Sequence, residues 1–332
     1  MKKAVLLCEV PGNIERVYGS GRLEKLKANA ELYPHIIGRQ NIAEHKGALR
    51  EVEVVFSTWG MPVFGKEELA ALPALQAVFY AAGSVQSFAR PLLDAGITVV
   101  SAWAANAVPV AEFTLAQILL ACKGYFRNTR ECRDAQLRHS GQVFRGAGVF
   151  GETVGLIGIG MIGRSLCRLL EPFNVQVIGH DPYLDDEVAV ELAIEKVDLE
   201  TLFARSYIVS NHLPNIPATR SMLNGKLFAS MREHATFINT GRGAQLVEDE
   251  LLDVLERRPD LTALLDVTFP EPPEKGSRFY SLPNVQLSSH IAGSLNDELV
   301  RMADYMLEEF ARWQRGEKLL YSVTPDMLDT MA

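Results

Sequence analysis

With 332 residues the chain is long enough for two medium domains, and 48% hydrophobic with 22% charged residues is a globular composition. A formal net charge of −8 argues against a nucleic-acid or anionic-membrane partner, because both select basic faces. Four cysteines (Cys8, Cys122, Cys132, Cys167) show no CxxC spacing and no histidine partner, which predicts reduced thiols, a cytoplasmic location and no metal site.

The opening "MKKAVLLCEV" holds too short an apolar run for a signal peptide and reads as a first buried strand. No run of about 18 apolar residues marks a membrane span. Strand-like runs at "KAVLLCE", "EVEVVFST", "LQAVFYA" and "ITVVSA" alternate with helical candidates "GRLEKLKANAELY", "NIAEHKGALR" and "SFARPLLDAG". Such alternation predicts βαβ units and a parallel sheet covered on both faces. From about residue 103 the alternation stops. "ANAVPVAEFTLAQILLACKGYFRNTRECRDAQLRHS" predicts a single helix of about 30 residues, roughly 45 Å long, with Pro109 in its first turn. Arg127, Arg130, Arg133 and Arg138, interleaved with Glu131 and Asp134, predict a solvated helix face.

The alternation then restarts with "ETVGLIGIG", "NVQVIGHD", "YIVSNHLP", "ATFINTG", "LTALLDVTF" and "NVQLSSH", enough for a complete doubly wound sheet. The last 40 residues predict one amphipathic helix from "SLNDELVRMADYMLEEFARWQRGEK", capped by Ser294 and Asp297.

Gly158-x-Gly160-x-x-Gly163 follows an apolar run and precedes the helical stretch "RSLCRLLEPF". In that context the first glycine permits a tight turn, the second lets backbone approach a pyrophosphate, and the third lets helix and strand pack closely. The helix N-terminus would turn free N–H groups toward the phosphates. Asp181 stands 18 residues past Gly163 at the next strand end, where a carboxylate accepts from ribose hydroxyls and repels a 2′-phosphate. Both features predict NAD (NADH) rather than NADP. An adenosyl-cofactor methyltransferase would also place an acid on a ribose.

Ligands of open α/β sheets bind at the carboxyl ends of strands. Arg242 lies between two glycines after "ATFINT", Glu271 in the proline-rich loop after Asp266, and His290 at the end of "NVQLSSH". An arginine grips a carboxylate or carbonyl oxygen through its forked donors. A histidine exchanges a proton with a hydroxyl or ketone oxygen, and a glutamate orients the ring and favours its protonated form. Alone, each is as readily a surface or loop residue; as a set they predict oxidoreductase chemistry. His35, His45, His139, His180 and His234 have no such partners and read as structural or solvent-facing, while His212 is placed beside the cofactor.

The blocks "NAVPVAEFTLAQIL", "GETVGLIGIGMIGR", "FINTGRGAQLVEDELL", "LDVTFPEPP" and "LSSHIAGS" resemble the D-isomer-specific 2-hydroxyacid dehydrogenases, the family of phosphoglycerate, D-lactate and hydroxypyruvate/glyoxylate-type reductases. The resemblance covers most of the chain. It implies two doubly wound domains, a Rossmann NAD-binding domain (103–291) inserted in a flavodoxin-like substrate domain (1–102 plus 292–332). It implies Arg242, Glu271 and His290 as catalytic residues, and a substrate carboxylate held by backbone N–H groups of Ala81, Ala82, Gly83 and Ser84. Cofactor contacts are implied at Gly158, Gly160, Met161, Ile162, Gly163, Asp181, Pro182, His212, Pro214, Thr219, Thr240, Gly241 and Gly293, with Asp266 on the nicotinamide carboxamide. A homodimer through the helical region 103–145 is also implied. The chain departs from the family pattern at Asn211, where a leucine usually precedes the histidine, and at Ser288-Ser289, where Thr-Pro is common. The resulting expectation is an NAD-dependent enzyme interconverting a small 2-keto acid and its D-2-hydroxy acid. An NAD-sensing, corepressor-like regulator of the same fold is the alternative. A formate dehydrogenase would carry glutamine in place of Glu271.

Overall fold

Strands form where β-branched and apolar residues run unbroken, because a parallel sheet sheathed on both faces leaves no solvent side. The computed structural model describes residues 1–63 and 65–331, and the chain divides into two units, Met1–Asn106 with Ser294–Ala332 and Ala107–Gly293.

In the first unit, β1 (Lys2–Leu7), β2 (Ala30–Ile37), β3 (Val54–Ser57), β4 (Ala77–Tyr80) and β5 (Thr98–Ser101) form a parallel sheet ordered β2-β1-β3-β4-β5. Successive side chains alternate between its faces. Ala4, Leu6, Val54, Phe56, Ala77 and Phe79 enter one core, whereas Val5, Leu7, Val55, Val78 and Tyr80 enter the other.

In the second unit, β6 (Glu152–Ile157), β7 (Val175–His180), β8 (Glu195–Lys196), β9 (Ile208–Asn211), β10 (Thr236–Asn239), β11 (Thr262–Leu265) and β12 (Val285–Leu287) run parallel in the order β12-β11-β10-β9-β6-β7-β8. The chain leaves β6 toward β7 and β8, then returns to β9 on the other side. That reversal puts the carboxyl ends of β6 and β9 at the switch point where a doubly wound sheet opens a crevice. The fold is therefore the expected pair of doubly wound domains, a Rossmann unit inserted in a flavodoxin-like one. The unit boundaries lie a few residues later than expected. Ala105, in the first turn of the helix Trp103–Cys122, packs in the first unit's core, and the Ser294 N–H donates to Asn106 Oδ1 at 3.1 Å.

Five details depart from the sequence reading. The long helix breaks twice: Trp103–Cys122 gives way to Tyr125–Glu131 where Gly124 takes the left-handed conformation at φ +70°, and to Ala135–Ser140 where extended Asp134 caps a new helix. Pro109 lies beyond the first turn, since the helix starts directly after β5 and Ala102. By length and composition Trp103–Cys122 would also suit a membrane span, but half of that stretch is buried in the protein and Ala111, Ile118, Ala121 and Cys122 enter the second unit's core. "GRLEKLKANAELY" stops being helical at Asn29 and continues as β2, while in "NIAEHKGALR" only Lys46–Leu49 is helical. At the C-terminal helix Leu299–Gln314 neither Ser294 nor Asp297 is the cap. The Glu298 carboxylate instead accepts the Leu295 N–H at 2.9 Å, and the buried Ser294 hydroxyl has no partner among the described residues.

Beyond that helix the chain adds β13 (Ser322–Val323), antiparallel to β5. Buried Glu309 places it, accepting the Leu320 and Tyr321 N–H groups at 2.8 and 3.0 Å. Of the arginine group, Arg127 is not simply solvated: it pairs with Glu131 at 2.6 Å and lies over Phe144 at 4.6 Å.

Candidate active site

Packing within the chain requires two of the three glycines of the turn. Gly158 sits at φ +85°, and a Cβ there would come within 2.8 Å of the His212 carbonyl oxygen. A Cβ on Gly163 would reach 2.5 Å from the Gly158 oxygen. These two glycines let β6, β9 and the helix Met161–Leu170 meet. Gly160 is different: nothing lies within 4 Å of its missing Cβ, and it caps that helix without any side-chain bond. An open backbone surface before a ten-residue helix with uncapped N–H groups at Met161, Ile162 and Gly163 fits a pyrophosphate.

Asp181 closes β7 beside this turn. Its carboxylate accepts the Ile159 N–H at 2.7 Å and the Tyr183 N–H at 2.9 Å, which orients it next to Pro182. His212, at the end of β9, is buried, and burial pushes its pKa down to about 4, so the ring is neutral. Its ring nitrogens contact Ser210 Oγ at 3.0 Å and Thr240 Oγ1 at 3.4 Å. The Thr219 hydroxyl donates to the Pro214 carbonyl at 2.6 Å, fixing the segment after His212.

Arg242, Glu271 and His290 follow β10, β11 and β12, three neighbouring strands. His290 adopts a left-handed conformation (φ +58°) uncommon for a non-glycine residue, and its Nδ1 lies 2.7 Å from Glu271 Oε1. With Nδ1 engaged, Nε2 is the nitrogen left for proton exchange. The guanidinium of Arg242 is largely buried; burial works against its charge and Glu271 supports it. Within the described residues its side chain makes one hydrogen bond, from Nη1 to the Gly241 carbonyl at 2.7 Å. Its remaining donors suit an anionic oxygen.

Asp266 is buried and already engaged by the chain itself. Its carboxylate accepts from Ser288 Oγ (2.6 Å), Ile291 N (2.9 Å) and Ala292 N (2.9 Å), while its carbonyl accepts the His290 N–H at 3.0 Å. These bonds shape the turn that carries His290, which ends at Gly293. The sequence reading missed three groups. Ser288, set aside as a departure, is one arm of this Asp266 cluster. Glu248 accepts the Phe269 N–H at 2.8 Å, anchoring the loop that leads to Glu271, and burial raises its carboxyl to about 7. Asn239 and Gln245 are wholly buried beside Asn211 under the Arg242 loop. An amide on an otherwise apolar strand end was the available signal.

The Ala81–Ser84 loop belongs to the first unit, after β4. The Ala81 N–H is committed to the Ser57 carbonyl at 2.8 Å, so it is not available to a ligand as expected. Ser101 Oγ donates to the carbonyls of Ala82 and Gly83 at 2.8 and 2.6 Å, which faces those oxygens inward. A Cβ on Gly83 would meet only Asn106 Nδ2, at an ordinary 3.7 Å, so packing within this unit does not demand the glycine. No group of three or more metal-ligating side chains occurs among the described residues.

Comparison with known proteins agrees with this geometry. The chain is 35% identical over 178 residues to the putative 2-hydroxyacid dehydrogenase YoaD of Bacillus subtilis, covering 53% of this chain and 51% of that one. It is 30% identical to the D-3-phosphoglycerate dehydrogenase of Methanocaldococcus jannaschii over 68% of this chain and 42% of that one. The chain thus spans about half or less of the length of these curated relatives. A phosphoglycerate oxidoreductase from Rhizobium etli shares the fold with a TM-score of 0.80 at 23% identity, over 99% of this chain and 100% of that one. D-mandelate dehydrogenase from Rhodotorula graminis does so with a TM-score of 0.79 at 21% identity, over 97% and 98%. Residues 115–292 match the family described as "D-isomer specific 2-hydroxyacid dehydrogenase, NAD binding domain", whose cofactor is a nicotinamide dinucleotide. The chain belongs to the D-isomer specific 2-hydroxyacid dehydrogenase family.

Proposed function

We propose that the protein interconverts a small 2-oxo acid and its D-2-hydroxy acid with NADH and NAD as the cofactor pair. The observation that carries this reading is the 2.7 Å contact between His290 Nδ1 and Glu271 Oε1, on strand ends next to Arg242, whose side chain is short of partners. When bound, the nicotinamide supplies the hydride for reduction and takes it up in oxidation. Arg242 holds the substrate's carboxylate and carbonyl oxygens through its free donors. His290 passes a proton from Nε2 to the forming alkoxide, and Glu271 fixes the ring and balances the imidazolium. Asp181 sits where a 2′-phosphate would bring a second negative charge, which supports NAD over NADP.

Reduction needs His290 protonated and oxidation needs it neutral, so the rate optimum for reduction lies at lower pH than that for oxidation. The test is oxidation of NADH by the purified protein against glyoxylate, hydroxypyruvate, pyruvate and bulkier aliphatic and aromatic 2-oxo acids. Turnover with at least one, abolished in His290→Asn, is expected. Tight NADH binding with no turnover of any would overturn the reading. Exposed Leu120 and Tyr125 along the broken helical region support a homodimer, which light scattering would weigh directly.

A further inference from the structure

Beneath the Arg242 loop lie three side-chain amides with no exposed surface: Asn211 at the end of β9, Asn239 at the end of β10, and Gln245 just after the loop. They form one connected set of bonds. Asn211 Nδ2 donates to Asn239 Oδ1 at 2.9 Å and to Gln245 Oε1 at 2.6 Å. Asn211 Oδ1 accepts the Leu213 N–H at 3.2 Å, and Gln245 Nε2 donates to the carbonyls of Leu213 and Pro214 at 2.7 and 2.9 Å. The other edge of the set grips the arginine. Asn239 Oδ1 accepts the Gly241 N–H at 3.1 Å, Asn239 Nδ2 donates to the Arg242 carbonyl at 3.2 Å, and Gln245 Oε1 accepts the Arg242 N–H at 3.1 Å.

Both backbone polar groups of Arg242 are therefore held by side chains, and its Nη1 folds back on the Gly241 carbonyl. Gly241 gives a second sign of how tightly the loop is drawn in. A Cβ there would come within 2.7 Å of Gln245 Oε1, 3.1 Å of Asn211 Nδ2 and 3.4 Å of Asn239 Oδ1. Each amide orientation is dictated by its neighbours, because turning one over sets donor against donor. Apolar side chains of similar volume would fill the space but strand buried backbone groups on both loops. A satisfied buried network of this kind selects one conformation.

We propose that Asn211, Asn239 and Gln245 are positioning residues, a buried amide lattice that sets the pitch of Arg242 for the substrate's carboxylate. The proposal rests on the dehydrogenase reading for what Arg242 binds, but its structural half is testable without turnover. Asn239 is the member to change, since apart from the bond from Asn211 its bonds run to the arginine side and none reaches the 213–214 segment directly. In Asn239→Ala the amides of Gly241 and Arg242 should exchange hydrogen at least about tenfold faster, while those of β10 stay protected. The KM for the 2-oxo acid should rise about tenfold or more, with the NADH dissociation constant within about twofold of the parent. In an Arg242→Ala background the same change should add less than about twofold, because the two act as one unit.

Unchanged exchange at Gly241 and Arg242 overturns the lattice. Faster exchange with an unaltered KM, or equal losses in substrate and cofactor binding, overturns its positioning role. Should the parent protein turn over no 2-oxo acid, the dehydrogenase reading fails while the exchange measurement still decides the lattice. Asn239→Ser, smaller and still polar, replaces the alanine variant if that form does not fold.

Discussion

His212 shows how one buried side chain ties the segment after β9 to pH. Burial holds its pKa at about 4, against about 6.5 for an exposed histidine, so the unfolded chain takes up a proton that the native ring refuses. The stability this contributes is fully present above pH 6.5 and is lost as the pH falls toward 4. We expect a loss of about 2–3 kcal/mol over that window, absent in His212→Asn. Urea denaturation at a series of pH values measures it, and parallel curves for the two proteins would contradict the assignment. Gly243 makes the complementary case for backbone. A Cβ there would overlap the carbonyl carbon and Cα of Thr268 and the nitrogen of Phe269, all main-chain atoms. Gly243→Ala must therefore push the Arg242 loop and the loop toward Glu271 apart. A drop of about 100-fold in kcat/KM in a protein that still folds is the expected result, and full activity would show that the two loops need not touch.

At the scale of the element, legibility follows burial. β1, β3, β4 and β5 could be read from sequence because a strand covered on both faces is a nearly unbroken apolar run. β2 could not. "AELYPHII" lies at the sheet edge, is buried only at its two ends, and carries Pro34, which an edge tolerates because one side needs no ladder donor. Gly124 was a visible punctuation mark in the long helical stretch, but composition alone does not tell a tolerated helical glycine from a left-handed stop. Gly160, Asp181, Arg242, Glu271 and His290 were legible because their spacing follows strand ends. The amides under Arg242 were not, since they act through partners far apart in sequence. β13 belongs to the same class: two residues with no apolar run, placed by Glu309. Glu309→Leu leaves the Leu320 and Tyr321 N–H groups without an acceptor and is expected to cost about 2–4 kcal/mol. Glu309→Gln keeps an acceptor oxygen and should cost less. Thermal melting of the two variants checks the order, and a leucine variant as stable as the parent would show that β5 holds β13 unaided.

Across the whole molecule the connectivity is asymmetric. Ala107–Gly293 is one continuous segment, whereas the first unit joins Met1–Asn106 to Ser294–Ala332. The C-terminal part is integral to that unit: Leu299, Met302, Ala303, Met306 and Phe310 sit in its core, and Val323 and Leu328 in the core on the sheet's other face. At about 1.5–3 kcal/mol for each large apolar side chain, the four large ones of the helix Leu299–Gln314 alone account for about 6–12 kcal/mol of gross burial. That is as large as the net stability of a typical domain. Ending the chain after Gly293 should therefore unfold the first unit, while the continuous segment, with its own two cores, keeps its sheet. Limited proteolysis of the truncated protein should leave a resistant fragment beginning near Ala107, and titration calorimetry should show that fragment still binding NADH. If the truncated chain loses NADH binding together with its first unit, the second unit does not stand alone and the folding of the two is coupled.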